Sequence, residues 1–177
     1  MWVKGRRHGG MDEPTKQTDW ERWLQDHAPK FLLYARQKTR SEADAQDLVQ
    51  EAVVEAARHV DNAQPPPVAR VFATIHHRAI DLARRDDRRT GRELAAADTQ
   101  PVAWFDTSVE DRERQQLIQD AMSQLPVIYR EVITLKVWGE LTFAEIADTL
   151  GIPANTAASR YRYGLAELRQ MTREVFA

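Results

Sequence analysis

The sequence predicts an all-α protein made of two small helical domains joined by a flexible linker, the C-terminal one containing a helix-turn-helix. Three observations support this prediction. Apolar residues recur at three- and four-residue steps in each structured stretch, which is typical of amphipathic helices. No stretch alternates apolar and polar residues as a half-buried strand does. Proline and glycine fall between the helical stretches, where they end one helix and precede the next.

The composition excludes several classes of protein. The chain has 25 Lys and Arg against 27 Asp and Glu, a formal net charge of −2, so no overall field draws it to nucleic acid. Cysteine is absent, which excludes disulfides and thiolate chemistry and fits a reducing compartment. No apolar run is long enough to span a membrane, and the N-terminus lacks a signal-peptide core. We therefore expect a cytoplasmic protein with no direct membrane insertion.

The first domain is predicted to span residues 18–92. The residues before it, 1–17, contain few apolar side chains and are expected to form a disordered leader, in which either the first residue or Met11 can be the native start. Thr18 opens the first helix with Glu21 three residues later, which is the capping-box pattern. Pro29 is expected to kink this helix or to mark a restart.

The second helix is predicted to begin at Ser41 and to carry a continuous apolar stripe on one face. Acidic residues at helical spacing cluster on a separate face, at Asp44, Asp47, Glu51 and Glu55. No Lys or Arg is interleaved with them, so their charges are poorly balanced along the helix. One interpretation is an ordinary solvated face, and the other is a face whose repulsion is relieved by a basic partner.

A stiff, proline-rich loop at residues 61–67 separates this helix from a third, predicted from about Val68 to the end of an arginine cluster. The outer face of the third helix is rich in arginine, which suits contact with the phosphate backbone of nucleic acid. Asp81 can instead pair with Arg78 or Arg85, and such pairs would leave less charge for DNA.

Residues 93–107 are mostly small or polar and predict the flexible linker. Trp104 and Phe105 are its exception, and they either dock onto a neighbour or pin the linker to a domain. The second domain, residues 108–177, begins with two helices separated at Pro126.

The stretch 141–168 predicts two helices joined by a tight turn. Thr142 and Glu145 form a capping box, Gly151 ends the first helix in a left-handed turn, and Asn155 or Thr156 starts the second. The outer face of the second helix carries small polar and cationic side chains, which a reader of the DNA major groove needs. A plain helical hairpin with a solvated face is the alternative.

Two motif blocks, in this order, resemble a known family. The first domain contains DAQDLVQEAV and RAIDLARRDDRR, and the second contains LPVIYREVITLKVWGELTFAEIADTLGIPANTAASRYRYGLAELR. These blocks are similar to the bacterial RNA polymerase sigma factors of the sigma-70 family, specifically the extracytoplasmic-function class that keeps only regions 2 and 4. The resemblance implies that residues 18–92 form region 2 and residues 108–177 form region 4.

The resemblance also implies sites. The positions that match the surface docked on core RNA polymerase are Asp44, Asp47, Leu48, Gln50 and Glu51. The positions that match contacts to the −10 promoter element are Asp61, Asn62, Arg70, His77, Arg78, Arg84, Arg85 and Arg88. The positions that match the reader of the −35 element as duplex are Thr156, Ser159, Arg160, Arg162 and Tyr163. The implied partners are core RNA polymerase, promoter DNA and an anti-sigma factor held between the two domains.

The chain departs from the family pattern at several of these positions. Arg70 stands where the family usually has Trp, and His77 stands where it has Asn. Ala158 replaces a common Lys or Arg, and Tyr163–Gly164 replaces Arg-Ala. Losing two exposed cations lowers the expected salt dependence of −35 binding, so the promoter sequence does not transfer from the family.

Two functions follow from these observations. The first is a sigma factor that binds core polymerase and directs promoter recognition, strand opening and initiation. The alternative is a stand-alone helix-turn-helix regulator of duplex DNA with a partner-sensing N-terminal domain. An enzyme is not expected, because His27, His76 and His77 lack a nucleophile or paired carboxylate and no glycine-rich phosphate loop exists. Adjacent His76 and His77 diverge on a helix, so no metal and no cofactor are expected.

Overall fold

A computed structural model describes residues 13–58, 60, 64–90 and 112–173, with side chains at residues 19–58, 60, 64–85 and 116–173. These residues form helices and short connections, with no strand among them. The helices are α1 (Glu13–Arg36), α2 (Glu42–Ala57), α3 (Val68–Thr90), α4 (Arg112–Gln124), α5 (Val127–Val137), α6 (Phe143–Leu150) and α7 (Ala154–Thr172). The predicted all-α class is confirmed. None of the helices in this part of the chain is long and apolar enough to cross a membrane.

The first helix differs from its prediction at its start. It begins at Glu13, before Thr18, and it does not restart at Pro29, which lies inside the helix. Proline removes one backbone hydrogen bond, leaving the carbonyl of Gln25 without its donor. Gln25 is exposed, so water can satisfy that carbonyl, and the packing beyond it holds the helix together.

Three helices of the N-terminal half pack around aromatic side chains. The Phe72 ring of α3 meets the rings of Phe31 and Tyr34 edge-on, with centroids 4.9 Å and 5.6 Å away. The start of α2 was predicted correctly, because Ser41 caps it and accepts a hydrogen bond from the Asp44 backbone N–H at 3.0 Å. The predicted apolar stripe of α2 lies in this core.

In the C-terminal half, α6 and α7 form the predicted helix-turn-helix. Both hydrogen bonds of the capping box between Thr142 and Glu145 are present, and Gly151 ends α6 with a left-handed φ of 64°. The start of α7 lies slightly before the predicted position. The helix begins at Ala154, because Pro153 is the extended N-cap residue whose carbonyl accepts hydrogen bonds from the backbone N–H groups of Thr156 and Ala157 at 2.9 Å and 3.1 Å.

The two halves share one hydrophobic core, a feature that the sequence analysis did not include. The α3 helix packs on α6, and α1 packs on α5. Buried side chains of the C-terminal half, among them Leu135, Leu141 and Ile146, belong to the same cluster as Phe31 and Phe72. Burial of apolar side chains from both halves stabilises their association.

A cluster of polar side chains also joins the two halves, between α1 and α5. Lys38 of α1 forms an ion pair with Glu131 of α5, and both side chains are largely buried. Beside them, the Gln37 amide nitrogen donates to Thr134 Oγ1 at 3.2 Å. Burial, together with the guanidinium of Arg130, lowers the pKa of Lys38 to about 8, so its ammonium group stays charged at neutral pH. A buried charge left without its partner is costly, so separating the halves at this pair would be unfavourable.

The turn between α5 and α6 also contacts the N-terminal half. Glu140 adopts a left-handed φ of 58°, unusual for a residue other than glycine, and its carboxylate accepts a hydrogen bond from Lys30 at 2.7 Å. At Gly139, an added Cβ would lie 2.6 Å from the Leu135 carbonyl oxygen and 3.1 Å from the Phe72 ring. Glycine therefore permits the close approach of the two halves at this turn.

The core next to this interface contains a histidine that should make the fold sensitive to acid. The buried hydroxyl of Tyr34 lies 3.2 Å from His76 Nδ1, and burial raises the pKa of that hydroxyl, so we infer that it donates to a neutral ring. Burial, then the charges of Lys38 and His77, lower the pKa of His76 to about 4 from an ordinary 6.5. The unfolded chain therefore binds a proton between these pH values that the folded chain does not.

We expect the melting temperature to fall by a few degrees as the pH drops from about 6.5 toward 4, because protonating His76 removes the acceptor of the Tyr34 hydroxyl. His76→Gln keeps an acceptor and does not titrate. The measurement is thermal unfolding followed by circular dichroism at pH 7 and pH 5 for both proteins. An equal loss of stability in both would show that other groups cause the acid sensitivity.

Candidate functional site

The predicted docking face lies on α2. Asp44, Asp47, Gln50 and Glu51 are exposed, as a surface that binds a partner requires. Leu48 does not present its side chain with them, because it is buried in the core with 6% of its surface exposed. We conclude that Leu48 fixes α2 against the core while its neighbours form the outer face.

The carboxylates of this face differ in what they contact. Asp44 accepts a hydrogen bond from the Ser41 hydroxyl at 2.7 Å, as part of the helix cap. Asp47 has neither a hydrogen bond nor an ion pair with any residue that the structure describes. Glu51 and Glu55 both face α3 and bind a cation there. The N-terminal part of the face is therefore open to a partner, and the C-terminal part is occupied.

That cation is Arg78, which stands at the wall of a cleft between α2 and α3. Its Nε donates to Glu55 Oε2 at 2.7 Å, and its Nη1 also pairs with Glu51. The alternative in which Asp81 forms a local ion pair is found with a different arginine from the two considered: its carboxylate lies 3.9 Å from Arg84, one turn along the same helix. Arg78 instead reaches across to α2, where two carboxylates converge on one guanidinium.

The cleft has a volume of about 500 Å³ and mixes residues of both predicted sites. Asp44, Asp47 and Glu51 line it from α2, and His77 and Arg85 line it from α3. The predicted polymerase face and part of the predicted −10 face therefore border the same cleft. Sequence reasoning included Glu55 in the acidic cluster but not in the site, although its position one turn after Glu51 was the available signal.

The remaining residues predicted at the −10 site are distributed along α3. Arg84 projects into solvent with 72% of its side chain exposed, and Arg70 and Arg85 are exposed as well. Asp61 and Asn62 lie outside the described residues, as does the side chain of Arg88. The described cations thus place positive charge along much of the outer side of α3, with Arg78 engaged by α2.

The predicted −35 reader lies on the outer side of α7. Arg162 and Tyr163 are exposed, and the Arg162 guanidinium lies 5.3 Å from the centre of the Tyr163 ring. Ser159 donates its hydroxyl to the Asn155 carbonyl at 2.8 Å. Thr156, Ser159 and Arg160 are half-buried. The outer side therefore combines an aromatic ring, cations and small polar groups, which can contact DNA backbone and base edges.

The inner side of α7 explains one departure from the family pattern. Gly164 is buried, and an added Cβ would lie 2.8 Å from Ile133 Cδ1 and 2.9 Å from Tyr129 Cβ. The contact requires glycine because α7 approaches α5 closely at this point. Packing against α5 thus explains why this chain has glycine at position 164 where the family usually has alanine.

Comparison with known families finds two matches that divide the chain as the two halves do. Residues 23–89 match the model described as Sigma-70 region 2, and residues 115–168 match the model described as Sigma-70, region 4. The first match contains α2, the cleft and nearly all of α3. The second contains the helix-turn-helix.

Curated relatives match over most of the chain. The RNA polymerase sigma factor SigV of Bacillus subtilis is 25% identical over 154 residues, covering 85% of this chain and 90% of the relative. The ECF RNA polymerase sigma factor SigL of Mycobacterium tuberculosis is 29% identical over 158 residues, covering 85% of this chain and 86% of the relative. Both alignments therefore include the two halves together.

Solved structures share the fold. The sigma factor RpoE of Bartonella quintana, in complex with the anti-sigma factor NepR, aligns with a TM-score of 0.60 at 17% identity. The alignment covers 88% of this chain and 98% of that one. CnrH, in complex with the cytosolic domain of CnrY, aligns with a TM-score of 0.55 at 20% identity over 89% of this chain and 90% of that one. The helical architecture is thus one that known proteins adopt.

Proposed function

Since this chain belongs to the sigma-70 family, with regions 2 and 4, we propose that it is a sigma factor of the extracytoplasmic-function class. It binds core RNA polymerase and directs promoter recognition, strand opening and the initiation of transcription. The observation that carries this proposal is the division of surfaces: an exposed acidic helix and a basic helix in one half, and a helix-turn-helix in the other.

The acidic face of α2 supports docking on a basic surface of the polymerase. Exposed carboxylates at Asp44, Asp47 and Glu51 form a stripe of one sign, and complementary charge speeds encounter and fixes register. Asp47 carries most weight in this proposal, because it has no ion-pair partner among the described residues. A cation supplied by the polymerase would form an ion pair with this carboxylate.

The two DNA contacts require different chemistry. Opening the −10 element costs a few kcal/mol per unstacked step, which contacts from arginines such as Arg84 and Arg85 to the separated strand can offset. The −35 element is read as duplex, and the exposed Arg162 and Tyr163 of α7 are placed on the side that faces away from the core. Each half thus has a cationic surface for one promoter element.

We infer that the protein is a non-catalytic subunit that acts in the cytoplasm, where polymerase and promoter meet. Its structural neighbours RpoE and CnrH are recorded with the anti-sigma factor NepR and with a domain of CnrY. We propose that this chain also has an anti-sigma partner.

The test combines the purified protein, core polymerase and genomic DNA fragments, and maps the 5′ ends of the transcripts. We expect initiation at discrete sites only when protein and core are both present. Arg162→Ala with Tyr163→Ala should reduce these transcripts while binding to core persists, because the two substitutions lie on α7 alone. Absence of both core binding and initiation would refute the proposal, and core-independent duplex binding would then favour a stand-alone regulator.

A further inference from the structure

The α2–α3 cleft joins a residue predicted to bind DNA to residues predicted to lie on the polymerase side. Arg78 of α3 contacts the carboxylates of Glu51 and Glu55, one turn apart on α2, and its Nη2 lies 2.5 Å from Glu55 Oε2. Each of the three guanidinium nitrogens therefore contacts a carboxylate within the chain. In this arrangement Arg78 is turned toward α2 and not toward a nucleic acid.

The three side chains are accessible enough for this contact to be exchanged. The exposed fractions are 38% for Arg78, 60% for Glu51 and 40% for Glu55. Ion pairs at such exposure contribute little net stability in water, because solvent screens them and the side chains lose freedom. A cation held rigidly on a partner surface can compete with Arg78 for these carboxylates, because it loses less side-chain entropy on binding.

We propose that Glu51 and Glu55 hold Arg78 away from DNA in the free protein, and that docking of a basic polymerase surface on α2 releases Arg78 to the promoter strand. This proposal rests on the proposed function, because it concerns the same two surfaces. The incoming cationic surface competes for the carboxylates of Glu51 and Glu55, and the guanidinium of Arg78 is then available for a phosphate. Polymerase docking and strand binding are thereby coupled, and the coupling is reciprocal.

The neighbours of Arg78 suit this transfer. Arg85 lies two turns along the same side of α3, lines the same cleft and is exposed, with no ion pair to any described residue. A released Arg78 would therefore add one phosphate contact next to the contact that Arg85 can make. Binding of single strands strengthens as each additional phosphate is neutralised, in a salt-dependent way.

The experiment measures binding of the full chain to a fluorescein-labelled oligo(dT) of 20 nucleotides, by anisotropy at several salt concentrations and without polymerase. Glu51→Gln with Glu55→Gln releases Arg78 by removing both carboxylate charges. Asp44→Asn with Asp47→Asn is the matched control, because it removes two charges from the same face and leaves Arg78 bound. Circular dichroism checks that each variant is folded.

We expect the Glu51→Gln/Glu55→Gln protein to bind the oligonucleotide about three- to tenfold more tightly than the control. Its slope of log affinity against log salt should be steeper by about 0.7, the value for one more phosphate on a single strand. Adding Arg78→Gln should cancel both differences. Equal gains in the two double variants, or a gain that survives Arg78→Gln, would overturn the proposal.

The result does not depend on whether the proposed function is correct. The oligonucleotide measurement uses no polymerase, so it reports on Arg78 even if the protein does not bind core. Conversely, normal core binding with no difference between the double variants would retain the sigma-factor function and reject the role of Arg78.

Discussion

Replacing Asp44 and Asp47 by lysine is expected to weaken binding to core RNA polymerase by at least about a hundredfold, since like charges placed together at an interface cost several kcal/mol. Both carboxylates are exposed, and Asp47 has no ion pair with the described part of the chain, so the substitutions alter the outer surface and not the core. The contact of Arg78 with Glu51 and Glu55 stays in place. Affinity can be measured by titrating labelled protein with core polymerase.

The matched control is Asp19→Lys with Glu21→Lys, which makes the same change of charge at exposed positions of α1. It should keep most of the affinity, because net charge acts on a partner mainly through long-range attraction that salt screens. Comparable losses in both proteins would indicate that only net charge matters, and the acidic face of α2 would then have no specific role.

Replacing Phe72 by alanine is expected to destabilise the fold by about 3–5 kcal/mol, the usual cost of removing a buried aromatic ring. Phe72 is fully buried, meets the rings of Phe31 and Tyr34, and lies against Gly139 of the other half. The loss is a large part of the 5–15 kcal/mol that stabilises an ordinary domain. Urea unfolding followed by circular dichroism gives the free energy directly.

Ile80→Ala is the control for this substitution. It lies on the same helix and 37% of its surface is exposed, so its truncation leaves no enclosed cavity and costs far less. Because the two halves share one core, spectroscopic signals from each half should change at the same urea concentration in Phe72→Ala. A loss below about 1 kcal/mol would mean that the core at this point can collapse around the missing ring.

Local signals in the sequence were sufficient to find most helices. Ser41, Thr142 and Gly151 act through hydrogen bonds and backbone angles within a few residues, so their roles were correctly predicted. Pro29 is a local signal too, and of its two expected effects the restart is not found, since Pro29 lies inside α1. Packing of Phe31 and the residues that follow it outweighs the one hydrogen bond that proline removes.

The chemistry of the surfaces could be predicted, but the partners within the chain could not. Periodicity placed the acids of α2 on one face and the arginines of α3 on another. Arg78 and Glu51 are 27 residues apart in the sequence, and no spacing rule relates them. The same holds for Gln37 and Thr134, which are 97 residues apart.

The core that joins the two halves has a consequence for how the molecule comes apart. A protease cut between residues 90 and 112 would sever the connection, yet the two pieces would stay together through the side chains buried between α3 and α6 and between α1 and α5. Any protein that wedges the halves open must in turn cover the apolar surface that it uncovers, including Phe72 and Leu135. The apolar surface area of such a protein, more than its charge, would then decide whether it can separate the halves.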